Sequence, residues 1–440
     1  MKIIVDLTAL YCSLFLLKLT FPFVLPIGTP ILALLLLLYV RYILKTNSTM
    51  PLGKEITVLY LFLMVFILWG AVNSDRLYYN FLCDFRNAVT IFLLLPILGT
   101  ICKNGMLDDF KSAFAKVNSI TFFAVGLYSL YKFYSLLQGA ELSWFIALDV
   151  NDAYPHGTSL QPDYNMASLG LLSAFLSSGY LLCYRSGNLL KKIFYASASI
   201  LTLAAALLTG SRRAVAVSII IIAVILIYQI IRKLNIFRIS QFIERFSAKS
   251  ALLVAICLPL LIFGVQLFKV WNFNVSFSDE SDFEIISGRY GTLYGGIDTL
   301  RESRGWHFRR AMELINDMTI PQLIYGDGFD YLRKMSIEDY EDYPHNPILS
   351  AILYGGLLNC ALTVVFISRS LFLYLKKIKT EQFFFLLLVL HLLFLLISSN
   401  SIFSSRSLMM LLVMPFLFNT ADNTTPAINR RICFGRIAVK

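Results

Sequence analysis

Twelve long apolar stretches leave this chain one environment in which to fold. They run over about 3–21, 24–44, 56–72, 86–102, 118–138, 164–183, 193–209, 213–231, 250–271, 347–375, 382–398 and 403–419. Roughly 17–25 apolar residues cross the hydrocarbon core of a bilayer as a helix, where no water is available to satisfy an open backbone. With 58% hydrophobic residues and a mean hydropathy of +0.70 over 440 positions, a soluble globular reading is excluded. The first run contains Asp6 and Lys18 and lacks a small-residue cleavage site, so it reads as an uncleaved span. The sequence thus predicts an all-α polytopic membrane protein of about 12 transmembrane helices. Helices 1–9 occupy 1–271, a long loop occupies 272–345, and helices 10–12 with a tail occupy 346–440.

Basic residues set the sidedness. If both termini are cytoplasmic, 23 of the 38 Lys and Arg fall in inner segments, as the positive-inside rule requires. Short outer loops hold only Arg76, Arg86, Arg212, Arg213 and Arg406. The net charge of +11 is therefore largely a topology signal. Its scatter over short inner loops argues against nucleic acid as a partner. Seven cysteines show neither a metal-ligand spacing nor a disulfide framework.

Against this pattern, Arg212 and Arg213 in Thr209-Gly210-Ser211-Arg212-Arg213 stand on the disfavoured side, at the start of a helix. Interfacial snorkelling is the ordinary explanation for such arginines. A bound phosphate or diphosphate explains more, because helix N-termini and guanidinium forks both suit phosphate oxygens. Arg212 is the preferred ligand and Arg213 the supporting charge.

The 74-residue segment 272–345 is the only long loop and is expected outside, with 14 of the 27 acids and seven basic residues. Loops longer than a connection requires usually carry function. Within it, 304–315 reads as an amphipathic helix, with Arg304, Phe308, Ala311 and Ile315 on one face. That helix is expected to lie on the outer leaflet, apolar side down. The acid runs 279–284 and 338–342 are expected to be solvated. Arg289 competes with Arg304 as an anion ligand; Arg309 and Arg310 are expected to face water or headgroups.

The loop closes with Tyr343-Pro344-His345-Asn346-Pro347. Asn suits an N-cap and Pro the first helical position, which places His345 at the mouth of the tenth helix. The helix dipole favours the neutral imidazole that a general base needs, while Glu341 and Asp342 pull the other way. His156 and His307 are weaker catalytic candidates. Before the sixth span, Asp163 and Asn165 either bind sugar hydroxyls or cap the helix.

Together these features resemble the O-antigen ligase and O-antigen polymerase superfamily of bacterial envelope glycosyltransferases. The resemblance rests on Gly157-Thr158-Ser159 with Asp163-Tyr164-Asn165, the Ser211-Arg212 turn, the helix from Arg304, the Gly326-Asp327-Gly328 turn, and His345-Asn346 before Gly355-Gly356. It covers the layout of the whole chain through short motifs whose order carries the weight. It implies a GT-C-like fold in the bacterial inner membrane with a periplasmic loop containing short helices. The implied reaction is an inverting, metal-independent transfer from undecaprenyl-diphosphate-linked oligosaccharide, without a cofactor. Arg212 and Arg304 would bind the diphosphate, His345 would activate the acceptor hydroxyl, and Arg213, Arg289, Asn346, Asp163 and Asn165 would help hold substrate. The family's Trp four residues after the loop arginine is Phe308 here, which leaves Arg289 and Arg301 as alternatives to Arg304. The acceptor is either another glycan lipid, as in a polymerase, or lipid A–core, as in a ligase; the Ser-Arg-Arg and Asp-Tyr-Asn stretches favour the polymerase. A chain-length regulator and a flippase are the possible protein partners.

Rival classes fit less well. A transporter or flippase of lipid-linked sugar would suit twelve spans, but some of these carry a long inner loop after the sixth span, and 184–192 is short. A metal-dependent transferase would place carboxylates in the first outer loop, near Phe21-Pro22-Phe23, where there are none. A structural scaffold would not need the arginine pair or His345.

Overall fold

A computed structural model of the chain describes residues 1–13, 28–47, 54–75, 78–137, 164–185, 187–209, 217–218, 305–336, 341–377, 389 and 406–424. Among them the chain is almost entirely helical and forms no strand. The helices are α1 (Lys2–Tyr11), α2 (Gly28–Thr46), α3 (Lys54–Val72), α4 (Tyr79–Lys103), α5 (Leu107–Leu137), α6 (Tyr164–Tyr184) and α7 (Leu189–Leu208). After these come α8 (305–316), α9 (Ile320–Tyr325), a 3-10 turn at Gly328–Asp330, α10 (Tyr331–Met335), α11 (Pro347–Lys377) and α12 (Arg406–Thr424).

Five helices among the described residues are long and apolar enough to cross a membrane: α2, Phe81–Lys103 of α4, Leu107–Tyr131 of α5, α7, and Pro347–Tyr374 of α11. Shorter apolar helices occupy Ile56–Val72, Ala167–Cys183 and Leu408–Leu417. This is the architecture of an all-α membrane protein. The expected runs 213–231, 250–271 and 382–398 lie outside the described residues, apart from positions 217, 218 and 389. Two helices start earlier than their apolar runs, α4 at Tyr79 and α5 at Leu107. An apolar run marks hydrocarbon, whereas a helix continues into polar surroundings wherever its ends are satisfied. In α5 the first turn carries Asp108 and Asp109, which complement the positive N-terminal dipole.

Helices α5, α6 and α7 pack on one another, with α1 against α5; α12 packs on α4 and α11. Apolar contact alone discriminates poorly between a neighbouring helix and lipid, so close packing and hydrogen bonds carry more of the specificity. Here Asn118 and Ser119 of α5 are fully buried against Ser173, Ser177 and Ser178 of α6. The Asn118 amide donates to Ser173 Oγ at 3.2 Å and Ser177 Oγ at 3.3 Å, and its oxygen accepts from Ser13 just beyond α1. Ser178 Oγ lies 2.9 Å from Ser119 Oγ.

The fold's main irregularity is a break within α11. Gly356 has φ +67° and ψ −168°, a conformation open to glycine and strained for other residues. The interruption exposes Leu353 O, which accepts from the backbone N–H of Asp327 at 2.8 Å. Asn359, fully buried one turn on, reaches back to Ala351 O at 3.4 Å. The Gly326 turn after α9 fits directly into this break. A Cβ on Gly326 would lie 2.3 Å from Tyr354 O and Gly355 N, and one on Gly356 would lie 2.2 Å from Ile324 O.

The same α9–α10 unit is fastened to the connection between α3 and α4. Phe329 N–H donates to Ser74 Oγ at 2.7 Å, and the Asp330 carboxylate accepts from Asp75 N–H at 3.0 Å and from the Tyr78 hydroxyl. Glu341 Oε1 accepts from Tyr79 N–H at 3.1 Å at the start of α4. Asp327 pairs with Lys334 and accepts from the Gln322 amide at 3.0 Å. The ring of Phe329 sits 5.4 Å from those of Phe81 and Tyr354. The described residues of segment 305–346 thereby form a cap on the end of the bundle where α4 and α11 begin.

Two expectations for this region are corrected. The apolar side of α8 is turned into the protein: Ala311 is fully buried, and Phe308 and Ile315 pack against the core. A helix can satisfy an apolar stripe against neighbouring side chains as well as against lipid. Glu341 and Asp342 are engaged in the structure rather than left to solvent, because backbone amides and an imidazole lie within reach.

Gly105 (φ +70°) has no atom within 4 Å of a built Cβ, whereas Gly326 (φ +83°) meets the backbone of α11. Alanine at either costs about 1–2 kcal/mol of left-handed strain, and at Gly326 the overlap adds to it. Gly326→Ala is expected to lower the thermal unfolding midpoint in detergent clearly more than Gly105→Ala; equal shifts would show that the fit is loose.

Candidate functional site

Proline fixes the local chain around His345. Pro347 restricts the preceding Asn346 to extended backbone, the conformation an N-cap requires. Asn346 is buried, and its Oδ1 accepts from Ile348 N–H at 2.9 Å and Leu349 N–H at 3.3 Å. His345, between Pro344 and Asn346, has φ +50°. A non-glycine residue held there costs on the order of 1–3 kcal/mol and persists only when its surroundings determine it. Such positions concentrate at functional sites. The half-buried imidazole packs edge-to-face on Tyr343, at 5.1 Å, and on His307, at 5.0 Å.

His307 comes from α8. Its Nε2 lies 3.0 Å from Asp342 Oδ2, with the two side chains only 16% and 13% exposed. Its ring also packs edge-on against Trp306 at 4.9 Å. Asp342 is itself held, since its N–H donates to Leu332 O at 3.0 Å and its Oδ1 accepts from Tyr343 N–H at 2.8 Å. Burial alone would raise the Asp342 carboxyl. The hydrogen bonds from His307 and Tyr343, with the charge of both imidazoles, outweigh it and hold the group below the ordinary carboxylate range. Asp342 is thus a carboxylate, able only to accept, and His307 Nε2 carries the proton between them.

Beneath this cluster the cap meets α4 and α11. Burial pushes the Tyr331 phenol far up, and the neighbouring Asp84 and Asp342 push it further. Asp84 is buried in the second turn of α4. The arrangement offers a fixed imidazole at a helix mouth, a second imidazole in contact with it, and a carboxylate that stabilises positive charge on either ring. Such an arrangement has the chemistry to accept a proton, and His307, Asp342 and His345 together also form a possible metal-ligand set.

Of the residues expected from sequence, the structure places His345 and Asn346 side by side. Asn165 lies in the first turn of α6. Arg212, Arg213, Arg289, Arg301, Arg304 and Asp163 lie outside the described residues. Sequence reasoning ranked His307 as a weaker candidate and read Asp342 only as a charge near His345; it missed that the two are bonded to each other. His307 stands three residues after Arg304 and four before Ala311, so the spacing that defined the apolar face also included its edge. Asp342 gave no such signal, since it meets an imidazole 35 residues away.

No protein-family model matches this chain, and no curated protein matches it.

Removing one partner from a partly buried, hydrogen-bonded pair costs about 1–3 kcal/mol. A carboxyl with a depressed folded pKa contributes stability above its unfolded value, about 3.9, and loses it as pH falls through the lower folded value. Asp342→Asn is therefore expected to lower the unfolding midpoint near neutral pH. The gap from wild type should close as acid protonates the native carboxyl. A gap that persists unchanged in acid would rule out the ion pair as its source.

Proposed function

We propose that the chain is an integral-membrane glycosyltransferase that takes its glycan from undecaprenyl diphosphate at the outer face of a bacterial inner membrane. In this reading about twelve helices in a GT-C-like arrangement span the membrane, both termini are cytoplasmic and the 272–345 loop is periplasmic. The cap described above supports it in one respect: the sidedness rule assigns the α3–α4 connection and segment 305–346 to the same face, and they are hydrogen-bonded together. The observation that carries the chemical reading is His345. It is a half-buried imidazole held in left-handed backbone between two prolines at the mouth of an apolar helix.

The proposed reaction is a direct displacement at the anomeric carbon. Arg212 and Arg304 hold the diphosphate oxygens, with Arg213 and Arg289 as further positive charge. The acceptor hydroxyl oxygen attacks the anomeric carbon from the face opposite the phosphate. The carbon–oxygen bond to phosphate breaks, and its electron pair leaves on undecaprenyl diphosphate. The hydroxyl proton passes to the His345 imidazole, and the linkage inverts. Charge builds on the departing phosphate, so preorganised guanidiniums act more strongly in the transition state than in the ground state. Asn346 keeps the helix mouth in register, and Asp163 and Asn165 offer hydrogen bonds to sugar hydroxyls. The preferred acceptor is the next lipid-linked repeat unit, which makes the protein a polysaccharide repeat-unit polymerase.

The test is gene deletion followed by complementation, read on a lipopolysaccharide gel. Core bearing a single repeat unit supports the polymerase. Bare core with accumulating lipid-linked polymer would replace it with the ligase. Glycan lipid that accumulates untransferred on the inner leaflet would indicate a transporter.

Alanine at His345, Arg212 or Arg304 is expected to abolish polymer while leaving the protein in the membrane. A lost general base alone accounts for about 10²–10⁴-fold. Arg212→Lys should restore little, because an ammonium cannot reproduce a guanidinium fork. Normal polysaccharide from all three alanine variants would refute the site.

A further inference from the structure

We propose that His307, Asp342 and His345 form a binding site for a divalent transition metal of the zinc class, and that an ion bound there occupies the imidazole of His345. One ligand atom from each residue lies within 4.8 Å of the other two, and His307 Nε2 and Asp342 Oδ2 are 3.0 Å apart. Tetrahedral ligands at about 2.0–2.1 Å from zinc stand roughly 3.4 Å from one another. One edge of the triangle is thus already at metal-site dimensions, and the others close by side-chain movements on the order of an ångström.

The donor set selects the ion. Two imidazoles and one carboxylate, with a position left for water, suit zinc, cobalt and iron(II). Calcium and magnesium prefer all-oxygen shells and are disfavoured. The supports are those a metal site needs. Asp342 is held by Tyr343 N–H and by its own bond to Leu332 O, His345 by the flanking prolines and the Asn346 cap, and His307 by α8. All three residues are half-buried rather than sealed, which leaves a route for an ion. On binding, the metal takes the place of the proton between His307 Nε2 and Asp342 Oδ2, and that proton goes to solvent.

The consequence for activity rests on the glycosyltransferase reading. An imidazole whose lone pair is given to a metal cannot accept a proton from an acceptor hydroxyl. Zinc is then an inhibitor of transfer, and a chelator restores it.

The test uses full-length protein purified in detergent, stripped with a chelator and titrated with Co²⁺. Binding of one equivalent with the visible absorption of low-symmetry cobalt, abolished by Zn²⁺, is the expected result. His307→Gln and Asp342→Asn, checked by their unfolding midpoints, should each weaken binding at least 10-fold, and Asp317→Asn in the exposed loop should not. No cobalt spectrum in wild-type protein, or one insensitive to both substitutions, would overturn the site. Transfer of a lipid-linked glycan is measured in the same preparations. Cobalt binding by protein whose chelator-stripped, metal-free form shows no transferase activity keeps the metal site and sinks the glycosyltransferase reading. Transferase activity unaffected by saturating zinc sinks the inhibitory role.

Discussion

A single backbone hydrogen bond, from Asp327 N–H to Leu353 O, makes the rest of the cap possible. A long apolar helix cannot leave a carbonyl open within or beside hydrocarbon. The break at Gly356 creates that problem in α11, and the cap answers it with a peptide N–H from its own turn. Because the donor is main chain, the cap must approach to backbone contact, which is why Gly326 and Gly356 lie against carbonyl and amide atoms. Once that approach is made, the 3-10 turn and α10 that follow Gly326 are held against the bundle. The His345 imidazole is then delivered against α8.

Much of the helical frame was legible in the sequence, because apolar runs report hydrocarbon directly. Helices α2, α3, α6 and α7 fall close to their expected runs. The extra turns of α4 and α5 were not legible, since Tyr79–Phe85 and Leu107–Val117 contain charged or polar positions that hydropathy scores as loop. Their helicity depends on partners such as Glu341 at the α4 N-terminus. Asn346 could be read in advance because capping is local: the prolines, the amide and the helix start lie within four residues. His307 was half-legible, from helical spacing alone. Asp342 was legible only as a charge near His345; its bond to His307 arises when α8 folds back over it.

Charge in the cap is used at close range. Asp327, Asp330, Glu341 and Asp342 each accept from a named donor among the described residues. Three of these acids fasten the cap to itself or to the bundle, and the fourth faces the histidines. At these described positions, acids expected to be solvated serve to satisfy amides and cations. At these four positions the negative charge is engaged locally, which lets them coexist with a site proposed to handle anions.

The bonds from Asp330 back to Asp75 join positions 255 residues apart in the chain. During synthesis, the α3–α4 connection must therefore wait for most of the polypeptide to emerge before its partner exists. The cap's other anchor, Leu353, is made later still. The histidine pair is consequently completed only once α8 and the start of α11 have both been made, and an intermediate inserted no further than α7 contains neither imidazole.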